Sequence, residues 1–290
     1  MRAFAYERPT SLADAFALLA DPGSEARLLA GGTDLIIRLR DGSMRPQTVV
    51  DVKGIAELDG EIRERDGYLR IGAQTVMTDI LADERIRRDY EALAEGAAVV
   101  GSAQIRNRAT LAGNICNASP AADTAPALLV YDARVVVAGP GGTRTIPIDD
   151  FFVRSGVTTL AAGELVTAIE LPLPDGPRGG VHVRQTRRRG HDLASVTLAC
   201  AVTADGSTRI AYGSVGPRPV LVTDATGLLA DPAGWDATKL RRLEELFVDA
   251  SPSASSMRAS PEYRLAMLRV LGLRAVGIAV ERLAAGAGGR

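Results

Sequence analysis

Arg27-Leu28-Leu29-Ala30-Gly31-Gly32-Thr33-Asp34-Leu35 is the stretch on which the reading of this chain turns. Leu28 to Ala30 is a short apolar run of a length that suits a buried strand. Gly31 and Gly32 follow, and glycine takes positive φ at little steric cost. Thr33 and Asp34 then stand where a helix is capped, ahead of Leu35-Ile36-Ile37-Arg38-Leu39. Strand, glycine turn and helix start would aim successive backbone N–H groups at one spot. Such a nest suits phosphate oxygens, and a helix dipole adds to it. A tight strand-to-helix turn without any ligand would read the same way.

A second stretch is Thr110-Leu111-Ala112-Gly113-Asn114-Ile115-Cys116-Asn117-Ala118-Ser119-Pro120-Ala121-Ala122-Asp123. Nearly every side chain is small, and the polar ones can all hydrogen-bond. A surface loop would carry more charge, and a core segment larger apolar groups. Small residues with exposed amides fit a backbone lying close along a polar ligand. Asp123 would then accept from a ribose hydroxyl, as acidic residues do in other nucleotide folds.

Together the two stretches resemble the FAD-binding (medium) subunit of the molybdenum hydroxylases, the group of xanthine dehydrogenase, carbon monoxide dehydrogenase and 4-hydroxybenzoyl-CoA reductase. In that family an A-G-G-T/H-x-L loop and a T-[IL]-[GA]-G-N-x-x-x-[AG]-x-P-x-x-D loop grip the two halves of FAD, in the order found here. Further matches are Pro9-Thr10-Ser11-Leu12, the segment from Glu164-Leu165-Val166 to Leu171-Pro172, Asp192-Leu193-Ala194-Ser195-Val196, and Arg258-Ala259-Ser260-Pro261-Glu262-Tyr263-Arg264.

The resemblance implies an α+β fold. A two-part FAD-binding domain of the vanillyl-alcohol-oxidase (PCMH) type precedes a smaller domain, a three-stranded antiparallel sheet with a helical bundle. Its cofactor contacts would fall on Leu29, Ala30, Gly31, Gly32, Thr33, Asp34 and Leu35 in the first loop, and on Val100 and Ser102 before the second. In the second they would fall on Thr110, Ala112, Gly113, Asn114, Ser119, Ala122 and Asp123. Leu165 and Val166 would approach the adenine or isoalloxazine region, although apolar strand residues are core by default. A basic residue stands at Arg184 and would favour the anionic reduced ring by Coulomb attraction. Many relatives carry lysine there, and arginine is not its equivalent.

Composition sets the outer limits. The 290 residues, 46% hydrophobic and 24% charged, suffice for a core in one large domain or two ordinary ones. A net charge of −1 offers no general attraction to nucleic acid or anionic membranes. No apolar run is long enough to span a bilayer. Met1-Arg2-Ala3-Phe4-Ala5-Tyr6-Glu7 lacks the apolar core of a secretion signal, so a cytoplasmic location is expected. The two cysteines, Cys116 and Cys200, cannot by themselves hold an iron–sulfur cluster, which takes four. Two histidines, His182 and His191, with no H-E-x-x-H or C-x-x-C pattern, argue against zinc. Redox chemistry here would need an organic cofactor.

Along the chain, residues 3–6 read as a strand. Ser11 caps a helix carrying Leu12, Ala15, Phe16 and Leu19, with Asp14 as a capping-box partner and Pro22-Gly23 as the stop. Thr48 to Val52 is a strand closing the first α/β unit near residue 58. Asp66-Gly67 predicts a hairpin between residues 61–65 and 68–71. Thr78 reads as a helix cap, and 91–100 as a buried helix. Arg106 and Arg108 are either phosphate contacts or solvated structural charges. Residues 124–131 read as helix, 134–138 as strand, 143–148 as its partner and 165–171 as another strand. Leu171 to Gly180 is the clearest linker. Domains are therefore expected at 1–176, with subdomains of about 1–58 and 59–176, and at 177–290. Beyond the linker, strands are expected at 181–186, 195–203 and 209–215, the second of them central. Leu228, Leu229, Leu243, Leu246 and Phe247 fit helices. A long helix runs from Pro261 to Leu283, followed by a flexible tail from Ala284 to Arg290.

Arg184-Gln185-Thr186-Arg187-Arg188-Arg189-Gly190-His191-Asp192 concentrates charge. It reads as a solvated run or, by the resemblance, as a loop near the flavin that controls access. By the resemblance His191 is a candidate proton donor to the flavin, although a lone histidine is more often structural. The function implied is an electron-transfer subunit. Molybdenum cofactor would sit on a large molybdopterin-binding partner and two [2Fe–2S] clusters on a small one, as a dimer of heterotrimers. FAD on this chain would pass electrons to NAD⁺, O₂ or another acceptor. Two other readings stay open: a stand-alone flavoenzyme similar to the reductase that makes UDP-N-acetylmuramate, and a non-catalytic nucleotide-binding assembly module.

Overall fold

Residues 2–20, 25–188, 190–252 and 257–287 are described by the computed structural model. The expected stop at Pro22-Gly23, Arg189 of the arginine loop and the last three residues of the tail lie outside them.

The chain opens with two parallel crossovers: β1 (Ala5–Glu7), α1 (Leu12–Ala20), β2 (Arg27–Leu29), α2 (Leu35–Asp41) and β3 (Thr48–Asp51). The strands pair in the order β1-β3-β2, all parallel. Ser11 begins α1 as expected: its Oγ accepts from the Asp14 N–H at 3.2 Å and donates to the Asp14 carboxylate at 2.7 Å. Ala15 on the inner face of that helix is fully buried.

Next comes the hairpin of β4 (Ile62–Arg65) and β5 (Tyr68–Gly72). Asp66 at φ 50° and Gly67 at φ 80° make it a two-residue turn with both residues left-handed. A helical excursion follows: α3 (Met77–Ala82), α4 (Glu84–Asp89), α5 (Glu91–Ala98), α6 (Ala103–Arg106), α7 (Leu111–Cys116) and α8 (Thr124–Val130). Thr78 does not cap α3. The cap position falls two residues earlier, on Val76, which is bridged to Thr110, and the Thr78 hydroxyl donates to Asn107 Oδ1 at 2.6 Å.

The chain then returns through β6 (Arg134–Gly139), β7 (Gly142–Pro147), α9 (Ile148–Phe151), the small ladder of β8 (Phe152–Arg154) with β9 (Val157–Thr158), and β10 (Leu165–Pro172). The resulting antiparallel sheet has the order β4-β5-β10-β6-β7. β10 sits in the middle, buried from Leu165 to Leu171. Its one charge, Glu170, is held between Arg70 at 3.1 Å and Arg134 at 2.7 Å, as a buried carboxylate must be.

The remainder is a second antiparallel sheet: β11 (Arg178–Gln185), β12 (Val196–Thr203), β13 (Thr208–Gly213) and β14 (Val220–Asp224), followed by α10 (Ala237–Leu246) and α11 (Pro261–Ala287). The expected three-stranded sheet is corrected to four strands. β14 follows Pro217 and Pro219, and it is tolerated because it lies on the sheet edge. The expected helical bundle is two helices among the described residues, with α11 laid along β11 and β12. Leu228 and Leu229 are in a turn, where the Leu229 N–H donates to buried Asp224 at 3.2 Å. The tail is helical to Ala287.

β12 explains its own sequence. Val196, Leu198, Cys200 and Val202 face one core with α11, while Ala199 and Ala201 face the core of the first region. Both faces are covered, so the strand is apolar throughout. Gly179 and Gly180, expected in the linker, are strand residues. A Cβ there would lie 2.0 Å from the Ala279 carbonyl oxygen and 2.0 Å from the Tyr131 hydroxyl, so only glycine lets α11 and the first region approach. Among the described residues no helix is long and apolar enough to cross a membrane.

Candidate functional site

The first glycine turn leaves β2 and enters α2. Gly32 has φ +77°, and a Cβ there would lie 2.9 Å from Leu29 Cδ1. The Ile36 N–H closes the first helical bond onto the Gly32 carbonyl at 3.0 Å. The backbone N–H groups of Gly31, Gly32, Thr33, Asp34 and Leu35 find no acceptor among the described residues. Capping by Asp34 is a correction: it is itself in the right-handed helical region, at φ −99° and ψ −46°, and caps nothing. Its Oδ1 instead accepts from Asn117 Nδ2 at 3.2 Å. Leu29 to Thr33 and Leu35 are half-buried, and Asp34 is exposed. The amides therefore remain open to a ligand at the surface.

The second turn lies against the first. A Cβ on Gly31 would fall 2.0 Å from the Arg108 carbonyl oxygen. Asn117, at the end of α7, reaches both Asp34 and Arg38. Here the amides are less open than the sequence suggests. Thr110 caps α7, its Oγ1 accepting the Gly113 N–H at 3.0 Å, and the Leu111 and Asn114 N–H groups are taken by the Thr75 and Thr110 carbonyls. Asn114 Oδ1 receives the Thr124 hydroxyl at 2.6 Å and so ties α7 to α8. Ser119 Oγ accepts the Ala121 N–H at 3.3 Å. Ala112 and Ala122 are buried and Gly113 is exposed. Ser102 caps α6 at 3.3 Å, and the Val100 carbonyl accepts from Arg106 at 3.2 Å. Arg106 is thus structural, and Arg108 is an exposed side chain.

A third cluster joins the two sheets' regions. Asp123, at the start of α8, is 8% exposed. Its Oδ2 accepts from Arg184 Nη1 of β11 at 2.8 Å. Its Oδ1 has no hydrogen-bond partner among the described residues, although His182 Nε2 lies 3.4 Å away. That imidazole is buried and contacts Thr197 Oγ1 at 2.8 Å. An ionised oxygen left unpaired at this depth is costly unless a ligand donates to it. Leu165 and Val166 lie in β10, buried and paired with Ala138 and Val137, with α7 packed on that strand. In the arginine loop Arg187 pairs with Asp192 at 3.0 Å, Arg188 donates to the His191 carbonyl at 3.3 Å, and His191 is exposed.

Tertiary contact therefore brings residues 29–35 to 108–117, and Asp123 to Arg184. No hydrogen bond or ion pair among the described residues joins those two groups directly. A cavity of about 350 Å³, walled by Gln185, Arg187, Arg258 and Tyr263, and one of about 230 Å³ beside Asp132 and Arg134 include no residue of either glycine turn. Sequence reasoning passed over Asn117, Arg38, His182 and Thr197. Asn117 stood inside the second stretch, and its flanking small residues were the available signal.

Comparison with known proteins places these features. Residues 2–174 match the model for the FAD binding domain in molybdopterin dehydrogenase, and residues 181–279 that for the CO dehydrogenase flavoprotein C-terminal domain. The chain is 34% identical to the putative xanthine dehydrogenase FAD-binding subunit XdhB of Escherichia coli K12, over 98% of this chain and 97% of that one. It is 30% identical to the carbon monoxide dehydrogenase medium chain of Hydrogenophaga pseudoflava, over 97% and 98%. Among solved structures, a chain of reconstituted CO dehydrogenase from Oligotropha carboxidovorans superposes with a TM-score of 0.87 at 30% identity, covering 97% of this chain and 99% of that one. With both of its regions matched in order, the chain belongs to the family of FAD-binding medium subunits of the molybdenum hydroxylases, oxidoreductases of the xanthine and carbon monoxide dehydrogenase group.

Proposed function

We propose that this chain is the electron-relay subunit of a multi-subunit hydroxylase. Electrons would arrive from iron–sulfur clusters on a small partner, having left a molybdenum centre on a large one, and would leave to NAD⁺, O₂ or another acceptor. The complex would be a cytoplasmic dimer of heterotrimers. The observation that carries the reading is the juxtaposition of two glycine turns, with a run of unpaired amides at their meeting point.

The residues present fit a flavin dinucleotide. The amides of Gly31 to Leu35 would hold the diphosphate, beside Leu29 and Ala30. Val100, Ser102, Thr110, Ala112, Gly113, Asn114, Ser119 and Ala122 would wall the cleft. Asp123 Oδ1 would accept from a hydroxyl or ring N–H, and Arg184 would fix the position of that carboxylate while its own charge favours an anionic neighbour. Leu165 and Val166 would supply the apolar floor. Bound FAD would supply the redox chemistry; the protein positions it and sets its field. We place the boundary between the FAD-binding domain, of the vanillyl-alcohol-oxidase type, and the C-terminal domain near residue 176, with a subdomain division near 58.

The test is reconstitution of the full chain with FAD, followed by capture of its partners. A flavin spectrum and co-purification of an iron–sulfur subunit are expected. A protein that stays colourless would overturn the reading, and a flavoprotein that turns over a substrate alone would replace it with a self-sufficient enzyme.

A further inference from the structure

Residues 186–194, the arginine loop, are held mainly by their own groups. The Ser195 N–H closes the base onto the Gln185 carbonyl at 2.7 Å. Inside the loop Arg187 pairs with Asp192, and Arg188 donates to the His191 carbonyl. Among the described residues, one hydrogen bond ties the loop to a segment beyond β11: the Ser214 hydroxyl donates to the Ala194 carbonyl at 3.0 Å. Ser214 is buried just after β13 and stands at φ 65°, a left-handed conformation rare outside glycine. Such strain persists only where the surroundings hold it. Three segments do. The Ser214 N–H donates to the Pro120 carbonyl at 2.6 Å, its hydroxyl to Ala194, and its own carbonyl accepts from Arg264 of α11. A Cβ on the neighbouring Gly213 would fall 2.5 Å from that same Pro120 oxygen, so the end of β13 lies directly against this peptide.

Pro120 belongs to the turn that delivers Asp123, closed by the Ala122 N–H on the Ser119 carbonyl at 3.0 Å. The arginine loop meets that turn at both feet. At one, Arg184 holds the Asp123 carboxylate at 2.8 Å; at the other, Ala194 is joined to Pro120 through Ser214. The buried Asp123 Oδ1, without a hydrogen-bond partner among the described residues, marks where a ligand donates. Glycine would take the φ of residue 214 without strain. Serine adds only a hydroxyl, and the bond that hydroxyl makes is the one to Ala194. We infer that Ser214 is a positioning residue coupling the cleft to the arginine loop: a ligand held at Asp123 orders residues 186–194, and the Ser214 hydroxyl carries that order to the far foot. Linkage makes the effect reciprocal, so loosening the loop weakens the ligand.

This inference rests on the FAD reading of the cleft, and the two can fail separately. Ser214→Gly removes the hydroxyl and keeps the backbone conformation. Relieved strain then offsets the lost bond, and the melting temperature should move little. Arg187 and Arg188 are exposed, so trypsin reports on the loop. In the full chain without FAD, Ser214→Gly is expected to raise cleavage after these two residues about fivefold, with other arginine and lysine sites unchanged. FAD is expected to slow that cleavage in wild type and to slow it less in the variant, whose FAD affinity, read by fluorescence titration, falls correspondingly. Ser214→Ala keeps the strain, so it should melt lower than Ser214→Gly yet be cut at the loop to the same extent. Wild-type cleavage in Ser214→Gly, a rise shared by every other site, or undiminished protection by FAD in the variant overturns the inference while leaving the FAD reading intact. So does FAD that binds wild type without protecting the loop. No binding by wild type overturns both.

Discussion

A methyl group on Gly31 would sit 2.0 Å from the carbonyl oxygen of Arg108. The two segments are far apart in the chain and meet backbone to backbone, with no room for a side chain. The obstruction is peptide backbone, which cannot rotate away as a flexible side chain could. Gly31→Ala should therefore part the two turns, costing about 1–3 kcal/mol as an overpacked contact does. A fall in melting temperature accompanied by loss of bound flavin is the expected result, read by calorimetry and by the flavin-to-protein absorbance ratio.

Gly32 tests conformation as well as space. At φ +77° a residue with a Cβ is strained by about 1–2 kcal/mol, and a β-branched one by more. Gly32→Val should lower FAD content further than Gly32→Ala does. Equal occupancy in the two variants would show that the turn tolerates a shift and does not shape the nest.

Asp123 calls for a conservative change. Truncation to Ala strands the Arg184 guanidinium, whose side chain is only 17% exposed, and breaking such a pair typically costs about 3–5 kcal/mol. Asp123→Asn keeps an acceptor for Arg184 and removes the charge. It should weaken FAD binding with a smaller loss of stability than Asp123→Ala, as judged by titration and denaturant unfolding.

Asp224 supplies a pH dependence. Burial pushes its carboxyl up, but hydrogen bonds from the Thr226 hydroxyl, the Leu229 N–H and Arg242 outweigh this and hold it below the usual 3.8. A group depressed in the folded state contributes stability that is present above its unfolded value and is lost as pH falls through the folded one. The C-terminal region should therefore lose stability as pH drops below about 4. Arg242→Met, which removes the Nε contact at 2.9 Å, should move that loss to higher pH, measured by urea unfolding across the acid range.

Much of the frame follows from local rules. Asp66-Gly67 makes a left-handed two-residue turn because few other pairs adopt it, and the hairpin register follows from that turn. Ser11 and Asp14 cap α1 within four residues of one another. Thr78 and Asp34 fail as caps for different reasons: α3 starts ahead of Thr78, and the backbone of Asp34 is itself already helical; their side chains meet Asn107 and Asn117, partners from far along the chain. β14 escaped notice because its neighbouring prolines are acceptable only on an edge, and an edge is a property of the assembled sheet.

By itself, the order of residues determined that two glycine-bearing segments exist, that one opens a helix after a strand, and that β12 must be covered on both faces. These are properties of backbone freedom and apolar period, which act over a few residues. Tertiary structure alone decided that Gly31 meets Arg108, that Asp34 is drawn to Asn117 rather than to its own helix, and that Arg184 is the partner of Asp123. Those pairings join residues dozens of positions apart. Their choice depends on which polar groups are left facing one another once the two cores have closed, when each buried charge must take whatever partner the packing presents.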